Sequence, residues 1–138
     1  MAGFTLFGPT HHLLTASVRL RVIRHELLTA NIANADTPGY RPRDLDFAGV
    51  LRALVLDQRG RGGGEFGKWD TEKLTLTSRH SHGLAQEREG EGRLDGNRVD
   101  LDRELALLVE NTLLHEASLT LLSRTLGGLR YAISEGKR

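Results

Sequence analysis

The sequence predicts a mostly α-helical protein, with long N- and C-terminal helices forming a coiled-coil-like assembly domain around an irregular, partly extended middle. Three observations predict it. Apolar residues at both ends recur in alternating steps of three and four, the spacing of a helical seam. Leucine dominates the apolar set while aromatics are few, with one Trp, two Tyr and four Phe, which suits long helices better than a packed α/β domain. Between the ends the chain is broken by polar, glycine-bearing stretches. The expected organisation is residues 1–40 as N-terminal helix and turn, 41–97 as irregular middle, and 98–138 as a C-terminal helix pairing with the first.

The first helix is expected over residues 11–34. Leu13, Ala16, Leu20, Ile23, Leu27 and Ala30 form its seam, with Arg19, Arg21, Arg24 and Glu26 lying off it. Pro9 and Thr10 are start signals and Pro38 is a stop, giving a rod on the order of 36 Å long. That is longer than a compact domain of 138 residues needs.

Residues 30–40, Ala-Asn-Ile-Ala-Asn-Ala-Asp-Thr-Pro-Gly-Tyr, end that helix. Asn34 and Asp36 have short polar side chains that bond free backbone groups and favour turns. Thr37 precedes Pro38 and is pushed toward extended backbone. Pro38 and Gly39 suit the central positions of a type II turn leading into Tyr40, with Gly39 at positive φ. Asn31 and Asn34 lie three apart on one helix face, where they can hydrogen-bond across a helix interface and fix register. An ordinary helix-end turn accounts for any one of these residues but poorly for all together.

The middle is less regular. An extended segment is expected over residues 44–47, and residues 47–57 are compatible with either a short helix or a strand. Residues 58–67, rich in Gly and Arg, read as a loop, residues 74–77 as a short strand, and residues 88–96 as a second loop.

The C-terminal seam is longer. Leu101, Leu105, Leu108, Thr112, His115, Leu119, Leu122, Leu126, Leu129 and Ile133 alternate in steps of four and three, and only Thr112 and His115 are not apolar. Asp100 is placed to cap the helix, and Asp102 meets the positive end of its dipole. The helix should run roughly 50 Å. Gly127 and Gly128 each cost about 1 kcal/mol in propensity against Ala. A second set, Leu107, Leu114 and Leu121, with Val109 and Leu113 nearby, widens the apolar surface beyond what one partner helix covers. Several helices packing together, and surface kept for other subunits, are both expected.

Chemistry is harder to find. A net charge of +1 with acids and bases intermixed shows no basic patch for nucleic acid. No cysteine is present, so disulfides and thiolate metal sites are excluded. No secretory signal is expected in residues 1–10, and no run of about 18 apolar residues suggests a membrane span. Gly62, Gly67 and Lys68 have the spacing of a phosphate-binding loop, but Trp69 stands where a Mg²⁺-binding hydroxyl belongs. His25-Glu26 and His115-Glu116 begin like a zinc-protease helix, yet neither has a second His four residues on. His80 and His82 lack a completing ligand set. Catalytic residues, cofactors and metals are therefore all expected to be none.

Residues 30–40 resemble the signature of the flagellar axial family, the rod and hook proteins, whose N-terminal helix runs into an Ala-Asn-x-x-Asn-x-Asp-Thr-x-Gly-Tyr turn. Arg43-Asp44-Leu45-Asp46-Phe47, Val99-Asp100-Leu101-Asp102-Arg103-Glu104 and Gly128-Leu129-Arg130-Tyr131-Ala132-Ile133 narrow the resemblance to the proximal members of the basal-body rod. Pro42 and His115-Glu116 depart from that pattern. The resemblance implies a structural subunit exported without a cleaved signal through the flagellar export apparatus. It implies assembly with other rod proteins and copies of itself into the periplasmic drive shaft, without membrane insertion. The alternatives are another axial subunit or a cytosolic coiled-coil adaptor, which would explain the seams but not the Asn-rich turn.

Overall fold

The computed structural model describes residues 9–60, 85–88 and 98–135. Helix α1 is Pro9–Ala33, strand β1 Arg43–Leu45, helix α2 Phe47–Gly60, strand β2 Ala85–Glu87 and helix α3 Leu101–Glu135. The strand expected at residues 74–77, the phosphate-loop-like residues Gly62, Gly67 and Lys68, His80 and His82, and most of both expected loops lie outside the described residues.

Helix α1 ends where its polar residues take over the backbone. The Asn34 amide donates to the Ala30 carbonyl at 3.1 Å, and its side-chain Nδ2 donates to the same oxygen at 2.8 Å. The orphan carbonyl of the last turn is thereby satisfied. In residues 37–40 the Thr37 carbonyl accepts from the Tyr40 amide at 3.2 Å, with Gly39 at φ 74°, which is a type II turn. The turn directs Pro42, which is buried, into β1.

Strand β1 pairs antiparallel with β2, in the register Arg43↔Glu87, Asp44↔Gln86 and Leu45↔Ala85. β2 falls where the sequence carried no strand signal. Asp46 caps α2: its Oδ1 accepts from the Gly49 amide at 3.0 Å and its carbonyl from the Val50 amide at 2.9 Å. The stretch compatible with helix or strand is thus helical, and the helix continues to Gly60. A Cβ at Gly49 would stand 2.8 Å from the capping carboxyl's Cγ and displace that carboxyl.

The apolar core sits between α1, β1 and α2. Leu20, Ile23, Leu27 and Leu45 are buried, with Phe47, Val50, Leu51 and Ala85 packed against them. Each such leucine contributes about 1.5–3 kcal/mol by burial.

Helix α3 runs antiparallel along another side of α1. Asn31 meets Glu104 and the Arg21 carbonyl meets Asn111, so one helix descends as the other rises. Asp100 caps α3, its Oδ1 accepting from the Arg103 amide at 3.3 Å. Glu104, Asn111 and Ser118, seven residues apart, are its buried positions. Only part of the leucine seam turns to α1: Leu108, His115, Leu122 and Leu129 are half-buried beside that line, while Leu101, Leu105, Leu119, Leu126 and Ile133 are exposed. Periodicity marks a stripe wider than the buried face because this helix is apolar on several sides. Its α1 face is set instead by polar residues whose partners lie on α1 and beside it.

Candidate assembly site

The signature turn is tied to both terminal helices by Asn31, which is completely buried. Its Nδ2 donates to the Arg43 carbonyl at 2.7 Å and to Glu104 Oε2 at 2.9 Å. Its Oδ1 accepts from the Arg43 amide at 2.9 Å and the Tyr40 hydroxyl at 3.1 Å. Both donors and both acceptor positions of the amide are therefore used. One side chain on α1 fixes the turn, β1 and the first turn of α3.

Around it lies a paired charge cluster. Arg24 grips Asp44 with two parallel bonds, Nε to Oδ1 at 2.8 Å and its terminal nitrogen to Oδ2 at 2.9 Å. Arg88, at the end of β2, reaches the buried Glu104 carboxylate at 2.9 Å, with its Nε 3.7 Å from Asp44 Oδ2. The Arg88 amide also donates to the Pro42 carbonyl at 2.9 Å. Two arginines thus balance two carboxylates where α1, β1, β2 and α3 converge. Removing one partner would leave a desolvated charge.

The electrostatics follow from these contacts. Burial alone would raise the Asp44 carboxyl, but the Arg24 hydrogen bond, the Leu45 amide and the charges of Arg24 and Arg88 outweigh it and hold it below the usual carboxylate range. The same hydrogen bond to Asp44 pushes Arg24 up. Burial raises the Tyr40 hydroxyl. Burial also lowers Arg21, with Arg24 adding to the effect, and the Arg21 guanidinium lies 4.4 Å from the centre of the Phe47 ring.

Of the other signature residues, the Thr37 hydroxyl donates to Asn34 Oδ1 at 3.3 Å, and Asp36 and Pro38 are exposed. Leu20, Ile23 and Leu27 are buried and Leu13 is half-buried. The structure does not bring these together with the α3 leucines into one two-helix seam, because the α1 seam faces β1 and α2. The readings from sequence missed Arg24, Asp44, Arg88, Glu104 and Asn111. The available signal was three polar residues spaced by seven on an otherwise leucine-rich helix.

Midway along the hairpin a cleft of about 330 Å³ opens between α1 and α3, lined by Arg21, Val22, His25, Glu26, Asn111, Thr112 and His115. The Asn111 amide donates to the Arg21 carbonyl at 2.9 Å and is 1% exposed. Among the described residues no group of three or more His, Cys, Asp or Glu could hold a metal ion.

Ten large apolar side chains of α3 stand exposed, including Val109, Leu113, Leu114 and Leu121. By length and composition this helix is apolar enough to cross a membrane, a property the absence of an unbroken apolar run had not suggested. Gly127 and Gly128 leave it unbroken and have nothing within 4 Å of the position a Cβ would take.

Known proteins share this pattern. A family model described as flagella basal body rod protein matches residues 20–41, which hold the end of α1 and the signature turn. The flagellar basal body rod protein FlgB of Salmonella typhimurium is 38% identical over 130 residues, covering 87% of this chain and 89% of the relative. FlgB of Escherichia coli is 37% identical over the same shares. FlgB of Cereibacter sphaeroides is 38% identical over 115 residues, covering 83% of this chain and 85% of the relative.

Proposed function

The chain belongs to the flagellar basal-body rod protein family, and from that premise we propose that it is a structural subunit of the proximal rod, polymerising with copies of itself and other rod proteins into a shaft that transmits torque. The observation that carries this reading is the bare apolar surface of α3. A helix apolar on several sides is stable in water only when other elements cover it, and α1 covers one side.

The role is mechanical. Arg24, Asp44, Arg88 and Glu104 are all bound into ion pairs that fix the end of the hairpin, so we assign them no chemical step. Interlocked apolar surfaces provide the rigidity a drive shaft needs. The subunit reaches the periplasmic rod through the flagellar export apparatus. We place α3 in protein rather than lipid because Glu104, Asn111 and Ser118 share the face that rests on α1.

The test uses Leu105→Asp together with Leu126→Asp. Both leucines are exposed, so the monomer should keep its fold. In a packed subunit contact each carboxylate costs several kcal/mol, repeated at every neighbour. Cell fractionation should find the variant exported but absent from rods. Normal rods built from it would exclude this face as a contact.

A further inference from the structure

The two carboxylates of the charge cluster differ in what they need. Asp44 is complete without β2: Arg24 holds both of its oxygens, at 2.8 and 2.9 Å, and the Leu45 amide donates to Oδ1 at 2.8 Å. Arg88 Nε stands 3.7 Å from its Oδ2 and adds charge without a hydrogen bond. Glu104 is different. Its side chain is 2% exposed, and among the described residues Arg88 is the only cation paired with it, 2.9 Å from Oε1 and 3.0 Å from Oε2. Asn31 donates one further bond to Oε2 at 2.9 Å. The counter-ion of a buried α3 carboxylate is thus delivered by the residue that follows β2.

Strand β2 is lightly held. It is three residues long and belongs to a two-stranded ribbon, a unit that is marginal in water by itself. Besides Arg88's ion pairs, its described attachments are the ladder to β1, the Arg88 amide bond to Pro42, the Arg41–Glu87 pair and Ala85 at the edge of the core. Arg41 and Glu87 are each 57% exposed, so their pair contributes little. The rest of the hairpin does not depend on β2. Helices α1 and α2 share the apolar core with β1, and Asn111 binds α3 to the Arg21 carbonyl.

We propose that β2 is a strap that closes the base of the α1–α3 hairpin, with Arg88 as the residue that couples the two. With β2 on β1, Arg88 neutralises Glu104 and the first turns of α3 rest on α1. With β2 off, Glu104 in the same place is a buried carboxylate with one amide partner. A desolvated charge without its counter-ion is the costlier state, so those turns lift and return the carboxylate to water. Strap and base therefore open together as one local unit, while α3 from Asn111 onward stays on α1. The device belongs to the single chain and does not rest on the rod-subunit reading.

The test breaks the strap without touching the ion pair. Gln86 has an exposed side chain, and alternation from the Arg88–Pro42 bond makes Asp44 and Gln86 the next hydrogen-bonded pair of the ladder. Gln86→Pro therefore removes a ladder bond and leaves Arg88 and Glu104 in place. Native-state hydrogen exchange on the full chain reads the amides of residues 104–108, with residues 115–122 as the control. Gln86→Pro and Arg88→Met should each speed exchange at 104–108 roughly tenfold or more, and combining them should add little, since both act through one opening. Adding Glu104→Gln to Arg88→Met should bring the rate back to within about threefold, because the amide oxygen still accepts from Asn31 and carries no charge. Residues 115–122 should hold their rates throughout. Unchanged exchange at 104–108 in Gln86→Pro would overturn the coupling to β2, and an Arg88→Met effect that Glu104→Gln leaves in place would overturn the role of charge. If Gln86→Pro unfolds the whole chain, seen as fast exchange at 115–122, the unsubstituted chain in low urea decides. There the Gln86 amide and residues 104–108 should share one urea dependence of exchange, and two different dependences would overturn the proposal.

Discussion

Replacing Asn31 with Ala should destabilise the protein far more than replacing Asn34, although both lie in the signature turn. Asn31→Ala removes four hydrogen bonds at 2.7–3.1 Å and strips a partner from the Arg43 amide, the Arg43 carbonyl and the Glu104 carboxylate. A buried polar group left unsatisfied costs about 1–3 kcal/mol. Arg43 is only partly buried and Glu104 keeps Arg88, so the sum should lie near 3–5 kcal/mol, a large part of a small domain's 5–15. Asn34→Ala loses a bond to a carbonyl that also accepts from a backbone amide, and should cost under about 1 kcal/mol. Asn31→Asp is the sharper variant. It keeps the shape but turns a carboxylate oxygen toward Glu104 and the Arg43 carbonyl, so it should be at least as harmful as Ala. Urea unfolding followed by circular dichroism would show this as a lower midpoint at unchanged slope, by about 1–3 M for the Asn31 variants. Equal midpoints for Asn31→Ala and Asn34→Ala would refute the assignment of Asn31 as the link between turn and helices.

Gly39→Val should cost about 1–2 kcal/mol by forcing a branched residue into positive φ, while Gly39→Asn recovers most of it; equal midpoints for the two would contradict the turn assignment. Gly49→Ala should displace the Asp46 carboxyl and cost about 1 kcal/mol, and combining it with Asp46→Ala should add little, since one cap is lost only once. Asp44 has its pKa depressed on folding, so its contribution is present above about pH 4, the unfolded carboxyl value, and is lost as pH falls through the folded one. Stability measured from pH 6 to pH 2 should fall less steeply in Asp44→Asn, and an unchanged slope would remove Asp44 from the acid response.

Much of this fold was legible because its strongest signals are local. The alternating steps of three and four marked both terminal helices to within a few residues, and Pro38-Gly39 specified the turn. Asp100 was recognisable as a cap from sequence because a cap acts within one helical turn. What remained hidden depends on contacts across long separations. Asn31 is 73 residues from Glu104, and the Asn111 bond to Arg21 spans 90 residues. Leucine periodicity marked only the flank of the α1-facing side of α3, at Leu108, Leu122 and Leu129, while its fully buried positions are the polar Glu104, Asn111 and Ser118. The leucines left outside are the surface on which the assembly account depends.

The most direct test of the central claim is a density map of basal bodies isolated from cells that make this chain. The account predicts antiparallel α1–α3 hairpins in the wall of the proximal rod, with the exposed leucines of α3 against neighbouring subunits and the signature turn at the hairpin end. A rod without this hairpin, or hairpins whose α3 leucines face solvent, would contradict it.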